Sequence, residues 1–585
     1  MRTTKKRYLV LSPLLGLFVF FVIHMCRREE LTTRTKRLTS NKQDTNPETL
    51  YFLPSNAEKK CELVTAVEPF HPDTVRMVVR NEPTLVCDRD FLPEITVVDG
   101  NHLKVNISKV ERDLGAGSFS HCRYRNITSV SEKESQIGHS PWSKPFSTSI
   151  LLDEDTEFIQ VDCFRESTEE NVVSKSMFSL IARRSDLDAN FNVKLKKREM
   201  KFQPKETLNI IMIGIDGLPR HQFLRTMPKT HKILTETLGS FDFRMQGQVG
   251  DNTFSNFVAL LTGSLKSEVK EWWDPDEPED AFGFIFDDID KAGFRTLYSE
   301  DYPFENSLFG ENRYLTKPQT TYWDRPIHLA MAREDSFVSR NGSCLGSHPV
   351  SEFHLDYVLR FLNTFHGKPC FALSFFDAVT HDDSGSAGII DEHLVNFYES
   401  LTSSGALNKS LVILFSDHGT RWGIVREGPN GWVDRRNPFL FLTFPSWFKR
   451  KYPEIMQNLQ ANTRVLTTIF DTREMVLDLL YFKSEAPAPI LSNNRNKGIS
   501  LFKKIPQRTC SEAYIPEREC FCKKWVETPV LTSSQIAKDV SNILINEIRS
   551  RADKTRCLEF TLRDIVSVMV LNPYKVKLNN GENKS

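Results

Sequence analysis

The chain has 585 residues, with 76 Lys+Arg against 76 Asp+Glu, so its formal net charge is zero. At roughly 100 to 200 residues per domain it accommodates several domains. With 26% charged and 11% aromatic residues it is globular in composition, not disordered or fibrous. The charge balance excludes an overall polybasic nucleic-acid binder, and 39% hydrophobic residues exclude a multi-span membrane protein.

Residues 1–7 are basic (Met1-Arg-Thr-Thr-Lys-Lys-Arg7), and an apolar run extends from Tyr8 to Cys26 before Arg27 and Arg28. At about 1.5 Å per residue the run just reaches across a hydrocarbon core of ~30 Å. No small-x-small cleavage site follows it, since Ile23-His-Met-Cys-Arg-Arg28 is bulky and charged. We read 8–26 as an uncleaved signal anchor and 1–7 as a cytoplasmic tail. The chain is then a single-pass type II membrane protein of the Golgi or ER lumen or the cell surface. A cleaved signal and a secreted chain is the alternative. Sequons at Asn106, Asn126, Asn341, Asn408 and Asn583 agree with a lumenal location. Of 11 cysteines, Cys26 lies at the membrane edge. The other ten are an even number in an oxidising compartment, enough for up to five disulfides. Cys520-Phe-Cys522 lacks a second ligand pair and reads as disulfide cysteines rather than a zinc site.

Residues 27–60 are polar and read as a stalk. Residues 61–195 hold four cysteines and short β-like runs: Thr74–Val79, Ile95–Val98 and Phe158–Val161. They read as a small disulfide-bonded β-rich domain. The charged stretch 183–206 reads as a solvated linker. From 207 to 500, short apolar runs alternate with helix-like stretches. The runs are Leu208–Ile215, Phe294–Tyr298, Cys370–Phe376, Leu411–Phe415 and Phe439–Thr443. The helix-like stretches include Phe223–Leu238, His354–Phe365 and Asp391–Leu401. This alternation predicts an α/β domain with a mostly parallel central sheet flanked by helices. Residues 501–585 form a cysteine-containing extension.

In a parallel sheet, function gathers at the carboxyl ends of the strands. Four constellations stand there: Asp216 in Ile213-Gly-Ile-Asp216-Gly; Thr253 opening an apolar helix-like segment; Asp377 and His381 at i, i+4; and Asp417-His418-Gly419. Each alone is compatible with a helix N-cap or turn. Together they form a mixed carboxylate, hydroxyl and imidazole ligand set. Such a set suits Zn²⁺ or Mn²⁺ better than Ca²⁺, as one or two ions. A hydroxyl at a helix N-terminus beside a metal is a nucleophile for ester transfer.

In this order the residues resemble the alkaline phosphatase/sulfatase superfamily. The likeness spans strand-Asp216-Gly, Thr253 before Ala259-Leu-Leu-Thr-Gly263, Ala292-Gly-Phe-Arg-Thr296 leading to Glu300-Asp301, Asp377 with His381, and Ser416-Asp-His-Gly419. Within it the chain resembles the membrane-tethered animal family called domain of unknown function 229. That likeness rests on Asp216-x-x-x-Arg220-x-x-Phe223-x-Arg225-x-Met227-Pro228-x-Thr230 and on the tail from Arg508-Thr-Cys510 to Cys520-Phe-Cys522. The resemblance implies an alkaline phosphatase-like fold. It implies one metal on Asp216, Thr253, Asp417 and His418, with Asp377 and His381 at a second metal or on substrate. Two-metal relatives use a third histidine after the Asp-His pair, and this chain has no histidine beyond His418. A one-metal enzyme with His381 as acid is the other arrangement. Gly217 and Pro219 stand where the family tends to carry serine.

Sulfatases need a Cys or Ser that is oxidised to an aldehyde, which Thr253 cannot become. The reading is a metal-dependent hydrolase or transferase acting on an unspecified phosphoester through Thr253. Arg220 and Arg421 are candidate clamps for substrate oxygens. A non-catalytic sulfatase-like membrane glycoprotein and a sulfuric-ester hydrolase are the alternatives. The sequence leaves the substrate, the partners and the oligomeric state open.

Overall fold

The computed structural model describes residues 8–9, 17–22, 60–61, 69–78, 85, 87, 92–115, 117–129, 137–165, 171–272, 283–301, 319–334, 343–346, 348–427, 430–483, 497–522, 524–530, 533–551, 562, 565 and 567–574. The chain divides into two units, one of Lys59–Cys522 and one of Met1–Glu58 with Lys523–Ser585.

The larger unit is built on a seven-stranded sheet. Its strands are β1 (Asn209–Ile215), β2 (Phe241–Asp242), β3 (Arg295–Glu300), β4 (Tyr322–Trp323), β5 (Cys370–Phe376), β6 (Ser410–Phe415) and β7 (Leu440–Thr443). Their order is β2-β7-β6-β1-β5-β3-β4. β1, β3, β4, β5 and β6 run parallel, and β7 is antiparallel to both β6 and β2. The principal helices are α1 (Ser185–Phe202), α2 (Thr253–Thr262), α3 (Arg325–Arg333), α4 (Val350–Thr364), α5 (Gly388–Ser403) and α6 (Ile469–Leu480).

The central strands β1, β5 and β6 are apolar at nearly every position because both faces are covered. Ile210 and Met212 of β1 enter one core with Phe257 and Leu260 of α2 and Met475 of α6. Ile211, Ile213 and Ile215 enter the other with Phe361 of α4 and Leu394 of α5. Gly214 marks where two rings meet the sheet. A Cβ there would lie 2.6 Å from Phe375 Cδ2 and 2.9 Å from Phe415 Cζ.

Register places the strand ends together. Ile215 pairs with Phe376, Gly214 with Phe415, and Glu300 with Phe375. Asp216, Asp301, Asp377 and Ser416–His418 therefore leave the sheet along one edge.

Preceding this sheet are a four-stranded antiparallel sheet (Ile137–His139, His121–Ser129, Phe158–Phe164, Val172–Ser179) and a three-stranded one (Thr96–Asp99, His102–Val105, Ser149–Leu151). Two local expectations are corrected here. Thr74–Val79 does not form a strand; Pro72–Val78 is a helix. Pro72, with φ pre-set for a first turn, and Asp73 near the positive helix end override the β-branched pattern. The charged stretch 183–206 is not an irregular linker; it contains the 18-residue helix α1. Arg198 of α1 is buried and donates from Nε to Leu480 O. Phe223–Leu238 begins as two short helices, Arg220–Thr226 and Pro228–Lys232, interrupted where Pro228 lacks an N–H.

Four disulfides link described cysteines: Cys61–Cys522, Cys87–Cys344, Cys122–Cys163 and Cys510–Cys520. Only Cys122–Cys163 is internal to 61–195; two others tie that region to later parts of the chain. Cys370 is a buried free thiol, its pKa pushed up to about 12 by burial. Cys26 and Cys557 lie outside the described residues.

In the smaller unit, Tyr8–Leu9, Leu17–Val22, Ser567–Tyr574 and Lys524–Val530 form a four-stranded antiparallel sheet. The rest of 8–26 lies outside the described residues. Leu17-Phe-Val-Phe-Phe-Val22 is aromatic and β-branched, a composition that suits a strand. No helix among the described residues is long and apolar enough to cross a membrane.

Candidate active site

Asp216 follows β1, where Gly217 takes a positive φ of 59°. That turn lets the chain pass close to His418; a Cβ on Gly217 would stand 3.4 Å from its Cε1. Thr253 is the first residue of α2, but it is not the cap. Asn252 caps the helix, its Oδ1 accepting from Ser255 N at 3.0 Å and from Ser255 Oγ at 2.7 Å. The Thr253 hydroxyl is thus free to turn to the strand ends. It donates to Asp216 Oδ1 at 3.0 Å and lies 3.4 Å from His418 Nε2.

His418 is oriented from behind. Its Nδ1 lies 2.8 Å from Gly419 O, a carbonyl that only accepts, so Nδ1 carries a proton. Nε2 then points at Asp216 Oδ1 (3.2 Å) and Asp417 Oδ2 (3.4 Å). Asp417 Oδ1 accepts from Gly217 N (3.2 Å) and His418 N (2.8 Å), which locks its carboxylate between the two turns. Ser416 Oγ accepts from Leu218 N at 2.9 Å and donates to His418 O at 2.8 Å. Gly419 N donates to Gln248 Oε1 at 2.8 Å, and Gln248 Nε2 donates to Glu519 Oε2 at 2.7 Å.

Asp377 follows β5. Asp301, at the end of β3, accepts from Asp377 N (2.6 Å) and Ala378 N (3.1 Å) and so holds that turn. His381 lies one turn on, its side chain 26% exposed, with Nδ1 2.9 Å from Asp382 Oδ1.

Asp216, Glu300, Asp301, Asp377 and Asp417 are all buried at this edge. Burial is outweighed at Asp216 by His418, which holds its carboxyl low, while the other aspartates are raised. Burial, then Asp216, Asp301, Glu300 and Asp417, push Asp377 well above the usual carboxylate range. Burial raises Asp301 to about 6 despite its two backbone donors. Asp417 rises to about 6, by burial and Asp216 against the pull of His418. Burial favours the neutral imidazole of His418, yet Asp417 and Asp216 outweigh it and raise its pKa to about 9.

The residues fit a divalent cation. Asp216 Oδ2, Asp301 Oδ2, Asp377 Oδ1 and Asp417 Oδ2 are buried without a hydrogen-bond partner. Asp216, Asp417 and His418 form one group with ligand atoms within 4.8 Å of one another; Asp216, Asp377 and His381 form another. Asp216 belongs to both. Carboxylate oxygens with an imidazole nitrogen are the donors of Zn²⁺ and Mn²⁺ sites.

The sequence-predicted residues Asp216, Thr253, Asp377, His381, Asp417 and His418 thus converge. The two arginines are engaged in other contacts. Arg220 makes a bidentate ion pair with Asp242. The Arg421 guanidinium lies over the Trp422 ring, 5.4 Å from its centroid. Among the sequons, Asn408 is exposed, Asn106 accepts from Lys109 N as a helix cap, and Asn126 Oδ1 is buried. Asn341 and Asn583 lie outside the described residues. Sequence reasoning missed Asp301 as the residue that holds the Asp377 turn. Its placement at a strand end, after Glu300, was the available signal.

Residues 80–566 match the family described as Protein of unknown function (DUF229). The chain belongs to this family. Solved structures similar to this DUF229 chain include a protein in the alkaline phosphatase superfamily from Vibrio parahaemolyticus, at 13% identity over 56% of this chain and 74% of that one, TM-score 0.35. The C-terminal periplasmic domain of EcEptC from Escherichia coli, in complex with Zn, aligns at 12% identity over 52% and 87%, TM-score 0.36. The PsFucS1 sulfatase from Pseudoalteromonas sp. aligns at 14% over 59% and 79%, TM-score 0.33. No curated protein sequence matches the chain.

Proposed function

We propose that this chain is a divalent-metal-dependent hydrolase or transferase of phosphoesters with Thr253 as its nucleophile. One observation carries the reading. The Thr253 hydroxyl, at the N-terminus of α2, lies 3.0 Å from Asp216 Oδ1 and 3.4 Å from His418 Nε2, among buried carboxylate oxygens that lack partners. Asp216, Thr253, Asp417 and His418 would hold one ion; Asp377 and His381, sharing Asp216, would hold a second. A bound ion supplies charge neutralisation at the phosphoryl oxygens and acidifies a neighbouring hydroxyl.

The chain's own residues then divide the work. Asp216 takes the Thr253 proton as Oγ1 forms a bond to phosphorus. The bond from phosphorus to the leaving oxygen breaks, and its electron pair stays on that oxygen. In the one-ion arrangement His381, partly exposed at the rim, is free of metal and delivers a proton to it. Thr253 opens α2, so the positive end of that helix lies beside the developing negative charge. Water or an alcohol next attacks phosphorus, its proton passing to His381. The bond from phosphorus to Thr253 Oγ1 breaks and Oγ1 takes its proton back from Asp216, giving hydrolysis or transfer respectively. A secondary alcohol cannot yield the aldehyde of sulfatases, which favours phosphoesters over sulfate esters. The disulfides favour a lumenal or cell-surface site of action.

The test compares wild type with Thr253→Ala on a phosphomonoester, a phosphodiester and a sulfate ester, with metal content measured. Wild type should turn over a phosphoester, and the variant should lose at least about 10³-fold. Equal rates would remove Thr253 from the mechanism. Bound metal without turnover of any ester would identify a binding protein instead.

A further inference from the structure

A second cluster of metal-class side chains shares no residue with the candidate active site. Asp324 precedes α3, His328 lies one turn along it, His354 sits on α4, and Ser299 on β3. All four are buried, at 0%, 2%, 0% and 0% exposure respectively. Asp324 Oδ2 is the hub. It lies 3.2 Å from His328 Nε2, 3.5 Å from His354 Nδ1 and 2.5 Å from Ser299 Oγ. Ser299 Oγ also contacts His354 Nδ1. The two imidazoles stack with centroids 4.5 Å apart and planes 8° apart, presenting a nitrogen each to the same oxygen.

Hydrogen bonding within the cluster leaves it incomplete. Asp324 Oδ1 and His354 Nε2 are buried without a partner. A buried carboxylate is costly unless a cation or sufficient donors meet it. The spacing meets a cation's requirement. Ligands about 2.0–2.1 Å from a tetrahedral ion stand roughly 3.3 Å from one another. The imidazole-to-carboxylate separations of 3.2 and 3.5 Å bracket that value, whereas Ser299 Oγ at 2.5 Å is a hydrogen-bond donor to the carboxylate and not a co-ligand. Asp324 and His328 also repeat, at i, i+4, the spacing of Asp377 and His381.

We propose that Asp324, His328 and His354 form a separate divalent-cation site of the Zn²⁺ class, with Ser299 hydrogen-bonded to Asp324 beside it. All three ligands are buried away from the surface, which suits a structural ion rather than a catalytic one. Its placement gives it a task. Ser299 is two residues before Asp301 on the same chain segment, and Asp301 holds the Asp377 turn. An ion here ties β3, α3 and α4 into the wall behind the candidate active site.

The test uses the full chain carrying Asp216→Asn, Asp377→Asn and His418→Gln, which disables both groups at the strand ends. This variant, stripped and titrated with Co²⁺, should bind about one equivalent with the absorption of a tetrahedral site. Adding His328→Gln and His354→Gln should abolish that absorption. As a check that needs no further substitution, Zn²⁺ should raise the thermal midpoint of the first variant. Absence of tetrahedral Co²⁺ and of a Zn²⁺ shift in the first variant would overturn the proposal. So would Co²⁺ absorption that survives loss of both histidines. Neither result depends on whether Thr253 is a nucleophile.

Discussion

Arg225 and Asp434, 209 residues apart in the chain, form a buried ion pair, with Arg225 Nη1 donating to Asp434 Oδ2 at 3.1 Å. Both side chains are fully buried, and His221 Nδ1 lies 2.9 Å from the other carboxylate oxygen. The backbone of Asp434 matters as much, because its carbonyl accepts from Thr420 N at 2.9 Å, just beyond the Asp417-His418-Gly419 turn. A residue of the Asp216–Thr230 signature thus acts on the far wall of the site through its partner.

Arg225→Ala should cost about 3–5 kcal/mol, because it leaves Asp434 buried without its guanidinium and with only His221 beside it. Chemical denaturation of the full chain measures this. A loss below about 1 kcal/mol would mean the pair is not the brace of this wall.

Gly419 stands where no side chain fits. A Cβ there would lie 2.4 Å from Asp434 O and 2.5 Å from Arg435 C, both backbone atoms that have no rotamer to give. Gly419→Ala should destabilise by about 1–3 kcal/mol and displace His418. Metal content and phosphoesterase activity should fall together, and retention of both at wild-type levels would contradict the geometry.

His418 sets a pH window. Its pKa is raised from 6.5 to about 9 in the folded, metal-free chain by Asp417 and Asp216, against burial. Below pH 6.5 the imidazole is protonated folded or unfolded, and its stabilising effect is complete. Between 6.5 and about 9 the folded chain keeps a proton that the unfolded chain releases, so stability falls as pH rises. Asp417, raised to about 6, contributes its own decline at lower pH. The thermal midpoint of stripped wild type relative to His418→Gln should therefore shrink from pH 6.5 to 9. Metal affinity should rise over the same window, since binding displaces the proton. A midpoint difference that stays constant would refute the assignment.

Cys61–Cys522 joins positions 461 residues apart. Cys61 N also donates to Arg508 O at 3.0 Å, so the bridge fastens a segment already in place. Replacing both cysteines with serine should lower stability by about 2–5 kcal/mol, mostly by freeing the unfolded chain. The thermal midpoint before and after reduction checks this, because reduction should have a smaller effect on the double variant than on wild type.

Much of the sheet was legible. Cys370–Phe376 coincides with β5, and the other four apolar runs fall within two residues of β1, β3, β6 and β7. Strands covered on both faces favour apolar residues at most positions, and that run is a local signal. β2 and β4 are two residues each and too short to register in a pattern. The helices at Pro72 and Ser185 were missed because Pro72 at a first helical position and the first-turn acids Asp73, Asp186 and Asp188 outweighed composition. Asp301 was passed over as a site residue because its role, holding backbone N–H groups of Asp377 and Ala378, comes from a neighbouring strand.

The zero net charge of the whole chain conveys nothing of the carboxylates gathered at one edge. By itself the sequence determined the alternating α/β architecture, the pairing of cysteines in disulfides and which residue types end each strand. These are short-range properties of periodicity and composition. Only the tertiary structure decided that Asp216, Thr253, Asp377 and His418 meet, that Arg220 is engaged by Asp242, and that Asp324, His328 and His354 share one oxygen. Those contacts depend on sheet order and register, which are set by packing between segments up to hundreds of residues apart.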